Sequence, residues 1–451
     1  MRKLAQRSAT RDLIDIDATN AAAAIRAGEI TSEQLVSACL DRIQARDDAV
    51  RAWAYLDPAH ALSQARAADR MQAAGRPLGP LHGVPVGVKD NFDTADMPTE
   101  YGTPIHAGRR PKVDAAVVSR LRGSGAVIMG KTAIPEFSSS GPVKTVNPLD
   151  PGRTPGGSSS GSAAAVADHM VPVAIGTQAT GSIIRPASYC GIYGYKASQG
   201  AIPRHGKVAG TRHLGQTGVL ARSLEDVALV ADLLVELGPR DSDTPPDPAR
   251  SLIASISRRP SQTPLLAFVR TPMWNLADED ARSAYEGFIE SMGRNVEEVE
   301  LPPIFDQARE CHTTIYDADV AQRYAKEYQN FPGQISAYFK ARIEKGNRTS
   351  AIEYIRALRL TDDFSNVLDG IFDRYAAILT PAAAGEAPLG PDATGRAIFS
   401  MIWTLCGTPN ISVPLLQGRS GMPLGVQLVG RKNADARLLQ TARWLVDHIQ
   451  A

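Results

Sequence analysis

The chain has 451 residues, of which 43% are hydrophobic and 22% charged, as in an ordinary globular protein. Its 49 basic and 48 acidic side chains nearly cancel without forming a basic block, which argues against a nucleic-acid partner. Four scattered cysteines lack CxxC or CxxH spacing, which argues against a zinc site or a disulfide framework. Neither a signal peptide nor a membrane span is indicated, so we expect a cytoplasmic protein without a membrane partner.

The predicted elements begin with helices and then alternate between strands and helices, which indicates an α/β fold. Helices are predicted at 18–27, from Thr31 with a capping box to Gln34, from 58, and at 114–122, 222–237, 278–292, 399–405 and 434–449. The segment 304–376 is predicted to be mostly helical, and 238–262 to be a surface linker. Strands are predicted at 50–56, 83–90, 126–129, 265–269, 296–300, 377–380, 410–414 and 425–430.

Residues 125–132 match the phosphate-binding pattern GxxxxGK[ST]. In a true P-loop the middle residues form a flexible turn and the lysine opens a helix. Here the middle residues are apolar and themselves predict a strand, and Pro135 would interrupt the helix. We therefore reject a nucleotide site at this position.

Two segments of small residues, 156–162 and 176–182, flank a short helix and a short strand. Such density of glycine and serine indicates backbone that approaches a ligand or another piece of backbone. The alternative for 156–162 is a flexible linker. Apolar helix and strand segments follow closely on its C-terminal side and argue against that alternative.

A serine nucleophile in these segments needs a base other than histidine. No histidine occurs in a recognisable motif, and no G-x-S-x-G pentapeptide surrounds Ser182. Lys89 ends an apolar predicted strand, where burial can lower its pKa enough for a neutral amine to act as base. The alternative is that Lys89 pairs with a carboxylate such as Asp90.

Ser182 follows a run of mostly small residues, 179–181, whose backbone N–H groups can stabilise the oxyanion of a tetrahedral intermediate. Ser158 lies in the other segment and can relay a proton between Lys89 and Ser182. The residues thus suggest acyl transfer through a serine, a serine relay and a lysine.

Five motifs resemble the amidase signature family and occur in the family's order. They are GVPVGVKD (83–90), GKT with a following glutamate (130–136), GGSSSGSAAAV (156–166), GTQATGSIIRPASYCGIYGYK (176–196) and GVQLVG (425–430). Ser158 and Ser182 are 24 residues apart, which is also the family's spacing. The resemblance covers most of the chain and is weakest from about 240 to 375.

The resemblance implies an α/β fold with a mixed central β-sheet covered by helices on both faces. It also implies a single amidase domain over 1–451. Its parts would be N-terminal helices at 1–78, the catalytic signature core at 79–237, a variable substrate-pocket segment at 238–376 and the C-terminal part of the core at 377–451.

The implied catalytic triad has Ser182 as nucleophile and Lys89 as base. Ser158 would bridge them after a cis Gly157–Ser158 peptide bond. This chemistry needs no metal or organic cofactor. The family likeness further implies an oxyanion hole made of four backbone N–H groups, those of Ala179, Thr180, Gly181 and Ser182. Thr177 and Ser159 would support these groups from a second layer.

Three positions depart from the commonest family pattern. Gln178 stands where an aspartate is usual, Thr180 replaces a glycine, and Arg185 follows Ser182 by three residues rather than two. The glutamine and the shifted arginine resemble the malonamidase-like branch. There the arginine is understood to hold a substrate carboxylate, as bidentate pairing favours. The alternative is that Arg185 pairs with a carboxylate or carbonyl of the protein.

The expected substrate is a small-molecule amide, either a small amide acid or an aryl amide, carbamate or ester. Besides Arg185 and Gln178, the predicted pocket residues are Phe137, Ser138 and Ser139, together with the segment 304–376. The alternative function is the amidase component of an amidotransferase complex. The sequence also leaves a homodimer open.

Overall fold

The computed structural model describes residues 13–208, 211–235, 251–390 and 394–450. Within these ranges, eleven strands form one mixed β-sheet. They are β1 (Trp53–Leu56), β2 (Pro85–Lys89), β3 (Val127–Thr132), β4 (Val173–Gln178), β5 (Tyr193–Lys196), β6 (Gln216–Ala221), β7 (Leu266–Val269), β8 (Val296–Val299), β9 (Ala377–Pro381), β10 (Asn410–Gln417) and β11 (Pro423–Val429).

The strand order across the sheet is β1-β3-β2-β4-β6-β5-β10-β11-β9-β7-β8. Strand β2 runs parallel to both β3 and β4, and β7 runs parallel to both β8 and β9. The pairs between these two parallel groups, from β4 across to β9, are antiparallel. The expected mixed sheet is therefore confirmed.

Helices flank this sheet, and most lie within two residues of their predicted bounds. The α-helices used here are α1 (Ala18–Ala27), α2 (Ser32–Val50), α3 (Pro58–Ala73), α4 (Ala116–Gly123), α5 (Ser160–Ala167), α6 (Ile184–Cys190), α7 (Leu224–Leu234), α8 (Leu252–Ile256), α9 (Glu279–Met292), α10 (Ala308–Arg323), α11 (Ala325–Asn330), α12 (Ala337–Arg348), α13 (Ala351–Arg374), α14 (Met401–Leu405) and α15 (Asp435–Gln450).

The predicted capping box at the start of α2 is confirmed. The Thr31 hydroxyl accepts from the backbone N–H of Gln34 at 3.1 Å, and the Gln34 side chain accepts from the N–H of Thr31 at 2.8 Å. These two bonds satisfy N–H groups that a helix start otherwise leaves without partners.

The segment 156–162 is packed structure and not a flexible linker, since every residue in it is buried. A Cβ at Gly161 would lie 2.2 Å from the carbonyl oxygen of Ala52, so only glycine fits there. A Cβ at Gly176 would lie 2.8 Å from the Ser159 hydroxyl. The small residues therefore allow close approach between the two segments and their neighbours, as the sequence indicates.

The predictions for residues 125–132 and for the linker at 238–262 can also be compared with the structure. Residues 127–132 form β3 throughout, which confirms that the GxxxxGK[ST] match is not a phosphate loop. The predicted linker at 238–262 lies partly outside the described residues, and its described end contains the short helix α8. Strands β5 and β6 have no counterpart in the sequence prediction. No described helix has the length and apolar character needed to cross a membrane.

Candidate active site

The site lies at the carboxyl ends of the neighbouring parallel strands β2 and β4. Val88 of β2 pairs with Ile175 of β4, and just beyond this pair the amine of Lys89 reaches the hydroxyl of Thr177 at 2.9 Å. The loop before α5 brings Ser158 to the same strand ends, and the loop between β4 and α6 brings Ser182. Carboxyl ends of adjacent parallel strands commonly form such sites because loops converge there.

Lys89 is fully buried, and its amine contacts only uncharged oxygen atoms. Its Nζ lies 2.9 Å from Ser158 Oγ, 3.0 Å from Ser159 Oγ, and 2.9 Å from Thr177 Oγ1. Burial lowers the pKa of Lys89 well below its ordinary value, and the nearby cations Lys207 and Arg185 lower it further. Both effects disfavour the ammonium form of Lys89 and favour the neutral amine.

The contacts of Lys89 can accommodate a neutral amine, and a fourth acceptor, the carbonyl oxygen of Thr177, lies 3.3 Å from its Nζ. Ser159 donates its own hydroxyl proton to the carbonyl of Thr177 at 3.2 Å, so its Oγ accepts from Lys89. The Thr177 hydroxyl can accept the second amine proton and also accepts from Asn91 Nδ2 at 3.0 Å. The nitrogen lone pair then points to Ser158, where it can accept a proton.

The alternative in which Lys89 pairs with Asp90 is wrong. Asp90 pairs instead with the buried Lys131, whose Nζ lies 3.3 Å from Asp90 Oδ1. Successive side chains of a strand point to opposite faces, which separates Lys89 from its neighbour in sequence. No carboxylate of the described residues forms an ion pair with Lys89.

The two predicted catalytic serines line one cleft. Ser158 is 2% exposed and Ser182 is 9% exposed. The peptide bond between Gly157 and Ser158 is cis, as the resemblance implies.

The segment 179–182 is held by its carbonyl groups. His312 Nε2 lies 2.9 Å from the carbonyl oxygen of Ala179, and the Thr404 hydroxyl donates to that of Thr180 at 2.7 Å. The carbonyl of Gly181 accepts from the first turn of α6. In the described part of the chain, none of the four N–H groups of this segment donates to a protein acceptor. They are available to a substrate oxygen, as an oxyanion hole requires.

Burial lowers the pKa of His312 to about 4, so its imidazole is neutral and bonds Ala179 as an N–H donor. The sequence carries no signal for this role, because His312 lies 133 residues away from the residue that it supports. The sequence likewise carries no signal for Thr404 on α14, because it lies 224 residues from Thr180, whose carbonyl it holds.

Arg185 does not line the cleft, so its predicted role in binding a substrate carboxylate is not supported. Its guanidinium donates to the carbonyl of Gly395 at 2.7 Å, to that of Gly157, and to the Thr394 hydroxyl at 3.1 Å. The residue is 1% exposed and does not line the cleft. The alternative of pairing with a protein carbonyl is therefore the one that the structure supports.

Gln178 also has a structural task. Its side-chain oxygen accepts from the N–H groups of Ile183 at 2.8 Å and Ile184 at 3.1 Å, at the start of α6. Its amide nitrogen donates to Thr404 Oγ1 at 2.9 Å. Both ends of the amide are thus occupied, and the predicted substrate contact through its polar atoms is not supported.

The predicted walls are present in part. Phe137 and Ser138 line the cleft, with Ser140 in place of the predicted Ser139, whose hydroxyl turns to the backbone of Gly141 at 3.3 Å. From the helical segment 304–376, the side chain that lines the cleft is Tyr316.

The aromatic ring of Phe137 anchors this helical segment to the site. It packs 4.5 Å from the ring of Tyr324 and 4.9 Å from that of Phe339, between ring centroids. Phe137 and Ser138 both have left-handed backbone conformations, with φ of 50° and 58°. Such conformations are costly for residues other than glycine and concentrate at functional sites.

Two residues of the cleft, Lys207 and Thr211, have no place in the sequence prediction. They lie in the loop before β6, whose polar composition carries no functional signal. No cluster of three or more metal-ligating side chains occurs among the residues that the structure describes.

Residues 34–439 match the family model described as Amidase. A glutamyl-tRNA(Gln) amidotransferase subunit of Chloroflexus aurantiacus is 34% identical, over 95% of this chain and 96% of the relative. The corresponding protein of Anaeromyxobacter sp. (strain K) is 35% identical, over 96% of each chain. These relatives do not bear the malonamidase name, so that branch stays a prediction.

Two solved structures illustrate the similarity of fold. A peptide amidase from Stenotrophomonas maltophilia superposes with a TM-score of 0.83 and 27% identity, over 97% of each chain. A chain of a vestigial complex related to the origins of an s-triazine catabolic enzyme gives a TM-score of 0.89 and 25% identity, over 96% of this chain and 98% of that one. The chain therefore belongs to the amidase signature family, whose enzymes hydrolyse amide C–N bonds.

Proposed function

We propose that this protein cleaves a linear amide through an acyl-enzyme formed on Ser182. The observation that carries the proposal is the contact of 2.9 Å between Lys89 Nζ and Ser158 Oγ, at a lysine with no carboxylate partner among the described residues. A buried neutral amine is a competent general base, and a hydroxyl between it and the nucleophile can pass on the proton.

In the proposed reaction, Ser182 Oγ forms a bond to the amide carbonyl carbon while its proton moves to Ser158. The Ser158 proton moves to the lone pair of Lys89, giving an ammonium. The negative charge on the carbonyl oxygen is stabilised by the N–H groups of 179–182. Collapse of the intermediate breaks the C–N bond, and the leaving nitrogen takes the proton back from Lys89 through Ser158. Water then attacks the acyl-enzyme by the same route, which releases the acid.

A second candidate is that the same chemistry serves as the amidase component of an amidotransferase. Curated relatives that match nearly end to end carry the amidotransferase name, and they favour this role over a stand-alone hydrolase. The departures from the common family pattern at Gln178 and Arg185 do not argue against it. Since both side chains bond to the protein, neither residue is evidence about the substrate.

The catalytic proposal is tested by ammonia release from small primary amides, with Lys89→Met and Ser182→Ala compared against Lys112→Met. Lys112 is exposed and serves as the matched control. We expect losses of about 10³-fold for the first two variants, the order that a general base contributes. Because burial lowers the pKa of Lys89, kcat/KM should reach its plateau at a lower pH than an ordinary lysine base would allow. Full activity in Lys89→Met would falsify the proposal.

The two roles differ in what the purified chain does alone. A stand-alone amidase turns over propionamide, benzamide, malonamate or glutamine by itself. A protein that works only within a complex reacts with none of them at a useful rate, although Ser182 is still labelled by a serine-directed phosphonate. Turnover of any of these amides by the chain alone excludes an obligatory partner.

A further inference from the structure

Lys207 is a buried amine in the cleft that the proposed mechanism does not use. It lines the same cleft as Ser182 and Thr180. Its Nζ has virtually no exposed surface and no hydrogen-bond partner among the described residues. The backbone around it is fixed, because residue 207 bridges to Phe92. The amine therefore sits in a defined place without a partner.

Thr211 places a second unpartnered donor on the same wall. Its Oγ1 is buried and has no hydrogen-bond partner in the described part of the chain. A Cβ built on Gly215 would lie 3.7 Å from Lys207 Nζ and 3.6 Å from Thr211 Oγ1. Both donors thus lie close to Gly215, where the carbonyl oxygen of Thr211 comes nearer still, at 2.7 Å from the same Cβ position.

Among the described residues of the cleft, no acidic side chain neutralises the positive charge of Lys207. Lys207 is the one charged side chain among the described residues that line the cleft, and none of those residues is acidic. A buried charge without a partner is unfavourable. Burial accordingly lowers the pKa of Lys207 to about 7, so that an anion entering the cleft would complete its protonation.

On the basis of the proposed function, we propose that Lys207 and Thr211 bind a carboxylate of the substrate. The cleft would then select amides that carry an acid group a short distance from the scissile carbonyl. Arg185, the residue that the sequence points to for this task, is occupied by backbone carbonyls. We assign carboxylate binding instead to Lys207, which follows Ser182 by 25 residues and lies in the loop before β6.

The test measures binding, so that it does not depend on turnover. In a Ser182→Ala background, calorimetry compares malonamate with malonamide and succinamate with succinamide, pairs that differ only in carboxylate against amide. We expect the acid of at least one pair to bind about tenfold tighter or more, as one charge-assisted hydrogen bond allows. Adding Lys207→Met should reduce this preference to within about twofold, and Lys207→Arg should retain part of it. Thr211→Val should lower the preference by a smaller factor.

The proposal is overturned if neither acid is preferred in the Ser182→Ala protein, or if the preference survives both Lys207→Met and Thr211→Val. Lys112→Met should leave the preference intact. If Lys207→Met fails to fold, the ligand pairs and Thr211→Val still decide. Preference in binding without Ser182-dependent hydrolysis would count against the proposed function alone. Hydrolysis without preference would count against the carboxylate site alone.

Discussion

Arg185 is a buried cation whose described partners are two backbone carbonyls and one hydroxyl. Burial lowers its pKa to about 10, which still leaves it charged at neutral pH. Its contacts join Gly157, next to the relay serine, to the segment 394–395. The residue therefore holds the backbone next to Ser158, and its charge helps to lower the pKa of Lys89.

We predict that Arg185→Met lowers kcat on acidic and neutral amides by the same factor, about 10- to 100-fold, because it disturbs the catalytic geometry and not a substrate contact. Loss of a nearby cation should also raise the pKa of Lys89. The acid limb of the pH profile of kcat/KM should then move to higher pH. The measurement is a pair of pH–rate profiles, on malonamate and malonamide. Selective loss on malonamate would restore the carboxylate-binding role to Arg185.

Among individual residues, the sequence identifies those whose role depends on neighbouring positions in the chain. Lys89 can be singled out because a lysine at the end of an apolar strand is unusual by itself. The partners of Arg185 lie up to 210 residues later in the chain, and those contacts follow from the sheet order. Nothing near positions 182–186 indicates whether the guanidinium meets a substrate or a backbone carbonyl. The sequence does not single out Lys207, because a lysine in a polar loop looks like an ordinary surface residue.

Helix α10 is the element that couples the variable helical segment to the chemistry. It carries His312 against the carbonyl of Ala179 and Tyr316 into the cleft wall, and the two rings stack with centroids 6.0 Å apart. The bond to Ala179 fixes the plane of the peptide whose N–H belongs to Thr180. The helix thus sets the direction of one predicted oxyanion donor.

We predict that His312→Leu lowers kcat about tenfold on any amide substrate, with little change in KM, because one misaligned oxyanion donor weakens transition-state stabilisation alone. His312→Gln keeps an N–H donor and should recover much of the activity. The check is steady-state kinetics of the three proteins on one neutral amide. Equal loss in both variants would show that packing, and not the hydrogen bond, is what matters.

His312 also makes the free energy of unfolding depend on pH in the acid range. The pKa of His312 is lowered from 6.5 to about 4 in the folded chain. Below pH 6.5 the unfolded chain therefore binds a proton that the folded chain does not bind. Folding stability due to this group falls as pH drops from about 6.5 to about 4, by up to about 3 kcal/mol. Denaturant unfolding at several pH values should show a smaller loss in His312→Leu than in wild type, because His106 and His169, whose pKa values are also lowered by burial, remain in both proteins.

Elements with clear periodicity or caps could be predicted, whereas short central ones could not. The capping box at Thr31 and the apolar strand predicted at 126–129, which the structure places at 127–132, are local signals and are confirmed. Strand β5, with the sequence YGYK, has four residues, and its pairing with β6 and β10 supplies the hydrogen bonds that define it. A single short segment carries no sign of such partners.

The whole molecule is organised by one sheet whose strand order differs from chain order. Strands β10 and β11, near the C-terminus, lie between β5 and β9. The main apolar cluster that covers the sheet extends from Ala18 to Val446, and two smaller clusters, one around Phe137 and one around Tyr189, lie apart from it. The β7–β9 region, which includes Phe268, packs into the same cluster as β4 beside the active site.

We predict that the chain unfolds as one unit. Because the parts share one sheet and one core, a lesion at the far side should destabilise the active site as well. Phe268→Ala removes a fully buried ring from β7 and should cost about 3–5 kcal/mol. Near- and far-ultraviolet circular dichroism and loss of amide hydrolysis should then move together to lower temperature, as a single transition. An early transition that melts the region around β7 while hydrolysis persists would mean that the β7–β9 region is a separate domain.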